Sequence, residues 1–317
     1  VSAATASTAS RTRPRRRLRG GGGGGERTAP YVFLAPFVLL FIGFLVVPIG
    51  LAIWNSLHTV RRSGLGFGSA SETVFTGLSN YTEALTDAEF LAGLGRVLLY
   101  GVVQVPVMLA LALTLALLFD SAAVRFKRFL QLSVFLPYAV PAVVAALLWG
   151  FLYQPQVSPV VDVLRSLGAD PDFLAPGTVL WSIANVTVWS VTGVNMIIIF
   201  SALQTVPRDI YEAARIDGAG EFRTALRIKI PMVAPAIILT ALFSVIGTLQ
   251  LFNEPMVMRS VTSNVSSEYT PNMMIFSTTT QGGNINLGSA MAILLGLVTF
   301  ALSVAVSVAS NRRGGKR

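Results

Sequence analysis

Polar side chains are scarce in this chain, and the few that recur at regular spacing define the chemistry available to it. Thr240, Ser244 and Thr248 follow one another every four residues, which puts three hydroxyls on one face of a helix. Leu251 and Phe252 continue that face, and Asn253 follows at its end. Earlier in the chain Trp181, Asn185 and Trp189 repeat at the same interval, with Thr192 and Asn195 extending the stripe less regularly. Hydroxyls and amides exchange hydrogen bonds with a hydroxyl-rich solute, and aromatic faces cover its apolar C–H surface. Two facing stripes of this kind could form half of a path for such a solute. They could equally serve packing, because small hydroxyl residues also let helices approach closely. Bond-making chemistry is not encoded. The one histidine, His58, has no companions of the kind a metal site needs. There is no G-x-x-x-x-G-K-[ST] loop, and the six glycines Gly20 to Gly25 follow no strand, so they read as a linker. No catalytic, metal or cofactor residue is expected.

The elements that must position these stripes are apolar throughout. The 317 residues are 53% hydrophobic and 12% charged, a balance that suits a membrane chain. Six apolar runs, 31–54, 97–119, 129–153, 179–203, 232–252 and 287–310, each approach the roughly 20 residues needed to cross a bilayer. Tyr31, Trp54, Tyr100, Trp149, Tyr153, Trp181 and Phe252 lie toward the ends of runs, where rings favour the headgroup level. Pro106, Pro137 and Pro141 fall inside runs, as membrane helices tolerate. The expected fold is an all-α integral membrane protein with six transmembrane helices, residues 31–311, between basic tails at 1–30 and 312–317. The first tail, with Arg15 to Arg17 and its glycines, cannot bury a core and reads as disordered. Absence of cysteine excludes disulfides and thiolate metal sites.

Charge placement sets the orientation. With the first tail in the cytoplasm, inside segments hold seven basic residues in that tail, three in 120–128, five in 204–229 and four after Ser310. Outside lie only Arg61, Arg62, Arg96, Arg165 and Arg259. This is the positive-inside asymmetry, and it predicts a multi-pass cell-membrane protein with both termini cytoplasmic. It also explains the formal charge of +9 without nucleic acid. Outside, 81–94 has amphipathic spacing and reads as interfacial. The proline-rich 154–178 reads as a structured loop. The polar 253–286 suits either contact with an extracellular partner or a cap packed over the helices.

One polar stretch on the inside, YEAARIDGAGEFRTALRIKIP at 211–231, reads as helix, glycine break, second helix and proline stop. It resembles the E-A-A loop of ABC-importer permeases: Glu212-Ala213-Ala214, three residues, Gly218, nine residues, then Ile228, Ile230 and Pro231, with Ile230 in place of the usual leucine. FLPYAVPAVVAALLWGFLYQP at 135–155, LQLFNEPMVM at 249–258, YTPNMMIF at 269–276 and GSAMA at 288–292 look like the first permease of sugar and glycerol-phosphate uptake systems. Gly95-Arg96 departs from the Asn-Thr often found there. The resemblance implies that the loop, 204–231, is a cytoplasmic coupling helix whose Glu212, Ala213, Ala214, Asp217 and Gly218 meet an ATP-hydrolysing subunit. It also implies a second permease subunit, two ATP-hydrolysing subunits, an extracellular solute-binding protein and a sugar-like substrate. In such permeases the substrate lies near mid-membrane between the helices flanking the loop. That favours Ser244 and Thr248, with Asn185, Trp189, Asn195, Leu251 and Asn253 completing the path.

The alternative from another class is a secondary transporter driven by an ion gradient, which usually carries an ionisable residue within a span. None of the six runs holds Asp, Glu, Lys or Arg, and Glu254 lies just past the fifth. A membrane-anchored sensor would need a sizeable soluble domain, and none is evident.

Overall fold

The computed structural model describes residues 25–62, 71–121 and 124–314. Residues 1–24 and 315–317 of the expected tails, 63–70 of the first outer loop and 122–123 of the first inner loop lie outside the described residues. The chain divides into two units between Leu51 and Ala52.

In the first unit α1 runs Gly25–Phe41, a π-turn covers Ile42–Val46, and α2, Val47–Ser56, continues into the second. Helix thus begins six residues before the expected start at Tyr31. Side chains from Pro30 to Leu51 are all exposed and mostly apolar, as a lipid-facing helix requires.

In the second unit β1, His58–Arg62, pairs antiparallel with β2, Ser71–Phe75. Helix α3, Ser79–Thr86, then meets α4, Ala88–Asp120, whose first turn is capped by the Asp87 carboxylate accepting from Phe90 N at 2.9 Å. The stretch read as interfacial is therefore structural in part. Phe90 and Ala84 are buried with Met274, Leu287 and Met291. The remaining elements are α5 (Lys127–Ala139), α6 (Ala142–Tyr153), α7 (Pro159–Ser166), α8 (Val179–Leu203), α9 (Arg208–Ile216), α10 (Glu221–Thr224), α11 (Ile230–Met232), α12 (Ala234–Leu249), α13 (Asn253–Met258), α14 (Pro271–Phe276) and α15 (Ile285–Gly314).

Five helical stretches are long and apolar enough to cross a membrane, and the α5–α6 pair makes a sixth if it is one span. That pair corrects the expectation of one continuous helix over 129–153, because it bends by 97°. The cause is local. Pro141 offers no N–H and forces its predecessor out of the helical region, and Val140 accordingly sits at ψ 127°.

Helices α4 and α8 form the centre. Ala112 and Ala116 of α4, fully buried and one turn apart, pack among Met196, Ile199 and Leu203 of α8. Nearby on α8, a Cβ at Gly193 would overlap the Val134 carbonyl of α5, so only glycine permits that approach. Of the two uses open to 253–286, packing is what the structure shows: Met258, Val265, Tyr269 and Met273 belong to the main core. Arg96, the departure noted above, donates to the Tyr269 carbonyl at 2.6 Å and lies 4.6 Å from that ring's centroid.

Candidate functional site

Helices α4, α8 and α12, with Tyr138 of α5, line an open cavity of about 450 Å³. Helix α4 contributes Tyr100, Gln104 and Met108, each one turn from the next, and α8 contributes Thr187, Val191 and Asn195. Helix α12 contributes Ser244, Gly247 and Thr248, and the broken turn after it adds Leu251, Phe252, Asn253 and Glu254. The polar groups are held by one another. The Tyr100 hydroxyl donates to Thr187 Oγ1 at 2.8 Å. Gln104 Oε1 accepts from Thr248 Oγ1 at 3.4 Å, and Asn195 Nδ2 donates to the Val191 carbonyl at 3.2 Å. Ser244 Oγ donates to the Thr240 carbonyl at 2.7 Å, which leaves its lone pairs for an acceptor role. Such a lining offers hydroxyl, amide and aromatic surface with one carboxylate and, among the described residues, no cation.

The second feature is the loop between α8 and α12. Helix α9 ends at Gly218, whose φ of +75° suits glycine. Ala219 N donates to the Ala214 carbonyl at 2.9 Å and Gly218 N to the Arg215 carbonyl at 3.0 Å, the two bonds of a Schellman cap. That cap turns the chain into α10. Ala214 is buried, while Glu212, Ala213, Asp217 and Gly218 face outward. Ile216 is 87% exposed and Phe222 is 79% exposed. Two large apolar side chains are thus displayed in a loop otherwise rich in charge. Glu212 makes no ion pair or hydrogen bond among the described residues, and the Arg215–Glu221 pair is exposed and contributes little. Behind the loop lies a cleft of about 730 Å³. Tyr211 lines it with a hydroxyl that lacks a hydrogen-bond partner, and burial, then the Asp120 charge, push that hydroxyl above the ordinary phenol range.

Residues 108–312 match the family described as binding-protein-dependent transport system inner membrane component. The chain belongs to this family. It is the permease subunit of an ATP-driven importer, not an enzyme, and works in the inner membrane with binding-protein and ATPase components. The permease is 34% identical over 211 residues to the sn-glycerol-3-phosphate transport system permease protein UgpA of Salmonella choleraesuis, covering 66% of this chain and 69% of that one. It is 28% identical to the trehalose transport system permease protein SugA of Mycobacterium tuberculosis, over 85% and 84% of the two chains. Its fold matches a chain of a bacterial ABC transporter that imports the acidic polysaccharide alginate, with a TM-score of 0.76 and 20% identity over 91% and 97% of the chains.

Within the permease, the expected stripes meet the cavity unequally. Asn195, Ser244, Thr248, Leu251 and Asn253 line it. Asn185 and Trp189 do not: Asn185 Nδ2 donates to the Tyr153 hydroxyl at 2.8 Å, and Trp189 sits edge-on to Trp149 at 5.9 Å. Their face of α8 packs on α6, and the cavity sees the face carrying Thr187 and Asn195. Thr240 is fully buried and bonds its own helix. Tyr100, Gln104 and Glu254 were not expected. A buried amide in an apolar run is costly without a role, so Gln104 was the available signal. The expected runs hold no ionisable residue, but the helical stretches extend past them, so that Ala234–Met258 takes in Glu254 and Ala88–Asp120 takes in Arg96. Family membership, rather than absence of charge, decides against ion-gradient drive.

Proposed function

We propose that this permease forms half of the translocation path for a neutral, hydroxyl-rich solute of the sugar class, delivered by an extracellular binding protein. The cavity lining carries this proposal. Its hydroxyls, amides and rings suit a polyol, whereas a phosphate would meet the Glu254 carboxylate with no cation to balance it. Of the two named relatives, the trehalose permease is therefore the better guide to substrate charge. The other half belongs to a second permease subunit, and one of two ATP-hydrolysing subunits docks from the cytoplasm on Glu212, Ala213, Ala214, Asp217 and Gly218. The cognate binding protein should be stabilised in a thermal melt by a neutral disaccharide such as trehalose and not by glycerol-3-phosphate. Stabilisation by the phosphate alone would overturn the neutral assignment.

The same proposal puts both termini in the cytoplasm. A reporter active only outside the membrane should be silent when fused after Ala309 and active when fused at Asp170. The reverse pattern would remove the loop from reach of any ATPase.

A further inference from the structure

Two charged side chains in the cleft behind the loop are buried against each other. Lys229 Nζ lies 2.5 Å from Asp120 Oδ2, with side chains 11% and 12% exposed. Asp120 Oδ1 accepts from Gln204 Nε2 at 2.9 Å, and the ammonium sits 5.1 Å from the Tyr211 ring centroid. One ammonium therefore gathers the end of α4, the residue following α8, and α9. Lys229 itself closes the π-turn Ala225–Lys229 that leads through α11 into α12. A buried pair of this kind cannot be pulled apart without leaving an uncompensated charge, so the groups it joins move together.

The positions of these groups along their helices give the pair a use. Helix α4 carries Asp120 at one end and the cavity residues Gln104 and Tyr100 further along, and sixteen residues of helix separate Gln104 from Asp120 by about 24 Å. Helix α8 carries Asn195 and is followed by Gln204, while Ser244 and Thr248 follow Lys229 in the chain. Movement of the loop reaches α12 through the backbone. It reaches α8 through the backbone as well, at Gln204, and α4 across this ion pair. We propose that Asp120 and Lys229 are positioning residues that transmit displacement of the α9 loop to the opposite wall of the cavity. The joint rests on the function proposed above, because it transmits something only if an ATPase moves the loop. Rigid secondary elements joined by ion pairs and hydrogen bonds are one physical carrier of such coupling.

The sequence contains no cysteine, which supplies a clean test. Ser244→Cys is introduced, and its rate of reaction with a small maleimide is measured in the complete transporter, first without nucleotide and then trapped with ATP and vanadate. The two rates are expected to differ by about tenfold, within the usual range of coupling between sites. Adding Lys229→Gln should collapse the difference while the ATPase subunit stays bound. Lys229→Arg, or the exchange Asp120→Lys with Lys229→Asp, should restore most of it. A rate difference that survives Lys229→Gln overturns the proposal. So does loss of the ATPase subunit from that variant, which would show a merely structural role. Equal rates in the Ser244→Cys background alone would instead overturn the cavity as the transport path.

Discussion

Gly247→Leu is expected to cut uptake by about a hundredfold, equivalent to ~2.7 kcal/mol of barrier, in a protein that still folds and assembles. Gly247 lines the cavity, yet nothing lies within 4 Å of where its Cβ would be. A leucine there projects into the space a solute must use, and replacing a helical glycine favours the helix by up to about 1 kcal/mol. Ser244→Leu should act in the same direction from one turn away. Thr248→Leu is a poor probe. Thr248 is buried where α4 and α12 cross, and even a methyl on Gly101 would come 2.7 Å from its Cγ2. Uptake and binding-protein-stimulated ATP hydrolysis must be measured together. Lost uptake with persisting hydrolysis identifies a blocked path; wild-type uptake in Gly247→Leu would remove this cavity from the mechanism.

Gly218→Pro should abolish uptake and loosen the ATPase, with the fraction of ATPase retained on purification falling by about tenfold, a change of roughly 1.4 kcal/mol. The pyrrolidine ring fixes φ near −65°, whereas Gly218 stands at +75°. Proline also removes the N–H that bonds the Arg215 carbonyl, so the Schellman cap is lost and α10 leaves α9 in another direction. Gly218→Asn should retain much of the function, since asparagine tolerates the left-handed region. There is open space at this Cβ, so the discrimination is one of backbone conformation and not of crowding. If proline and asparagine behaved alike, the direction set by the cap would not matter to docking.

The loop was the most legible part of the sequence because its instructions are local. A glycine that must turn and a helix-forming triplet before it act within a few residues, and the structure has the turn where the spacing put it. The proline stop did not hold, because helical residues run on through Pro231 to Met232. The apolar runs were legible for a related reason: their length is measured against the bilayer. What failed needed knowledge of neighbours. Trp181, Asn185 and Trp189 do share a face, but periodicity cannot say which helix that face meets, and here Asn185 and Trp189 meet α6. Pro137 and Pro141 lay in one run, and only Pro141 broke it, because its predecessor adopted the extended conformation. Gln104 was overlooked because a lone amide has no period. Asp120 and Lys229 are separated by more than a hundred positions, so nothing in their surroundings marked them as a pair.

Helix α4 also acts as a gauge of the membrane. Its 33 residues reach about 50 Å, well beyond a hydrocarbon layer of roughly 30 Å. Between Arg96 and Asp120 no residue is charged, an interval of about 36 Å that exceeds the layer modestly and is accommodated by tilt. The first two turns lie beyond that uncharged interval, and there Phe90 packs with Ala84, Met274, Leu287 and Met291. Because the same rod forms a cavity wall and ends in the Asp120–Lys229 joint, any change in its tilt turns both at once. If the proposed path and joint hold, the thickness of the surrounding lipid is a mechanical load on transport, set by acyl chains that touch neither the solute nor the ATPase.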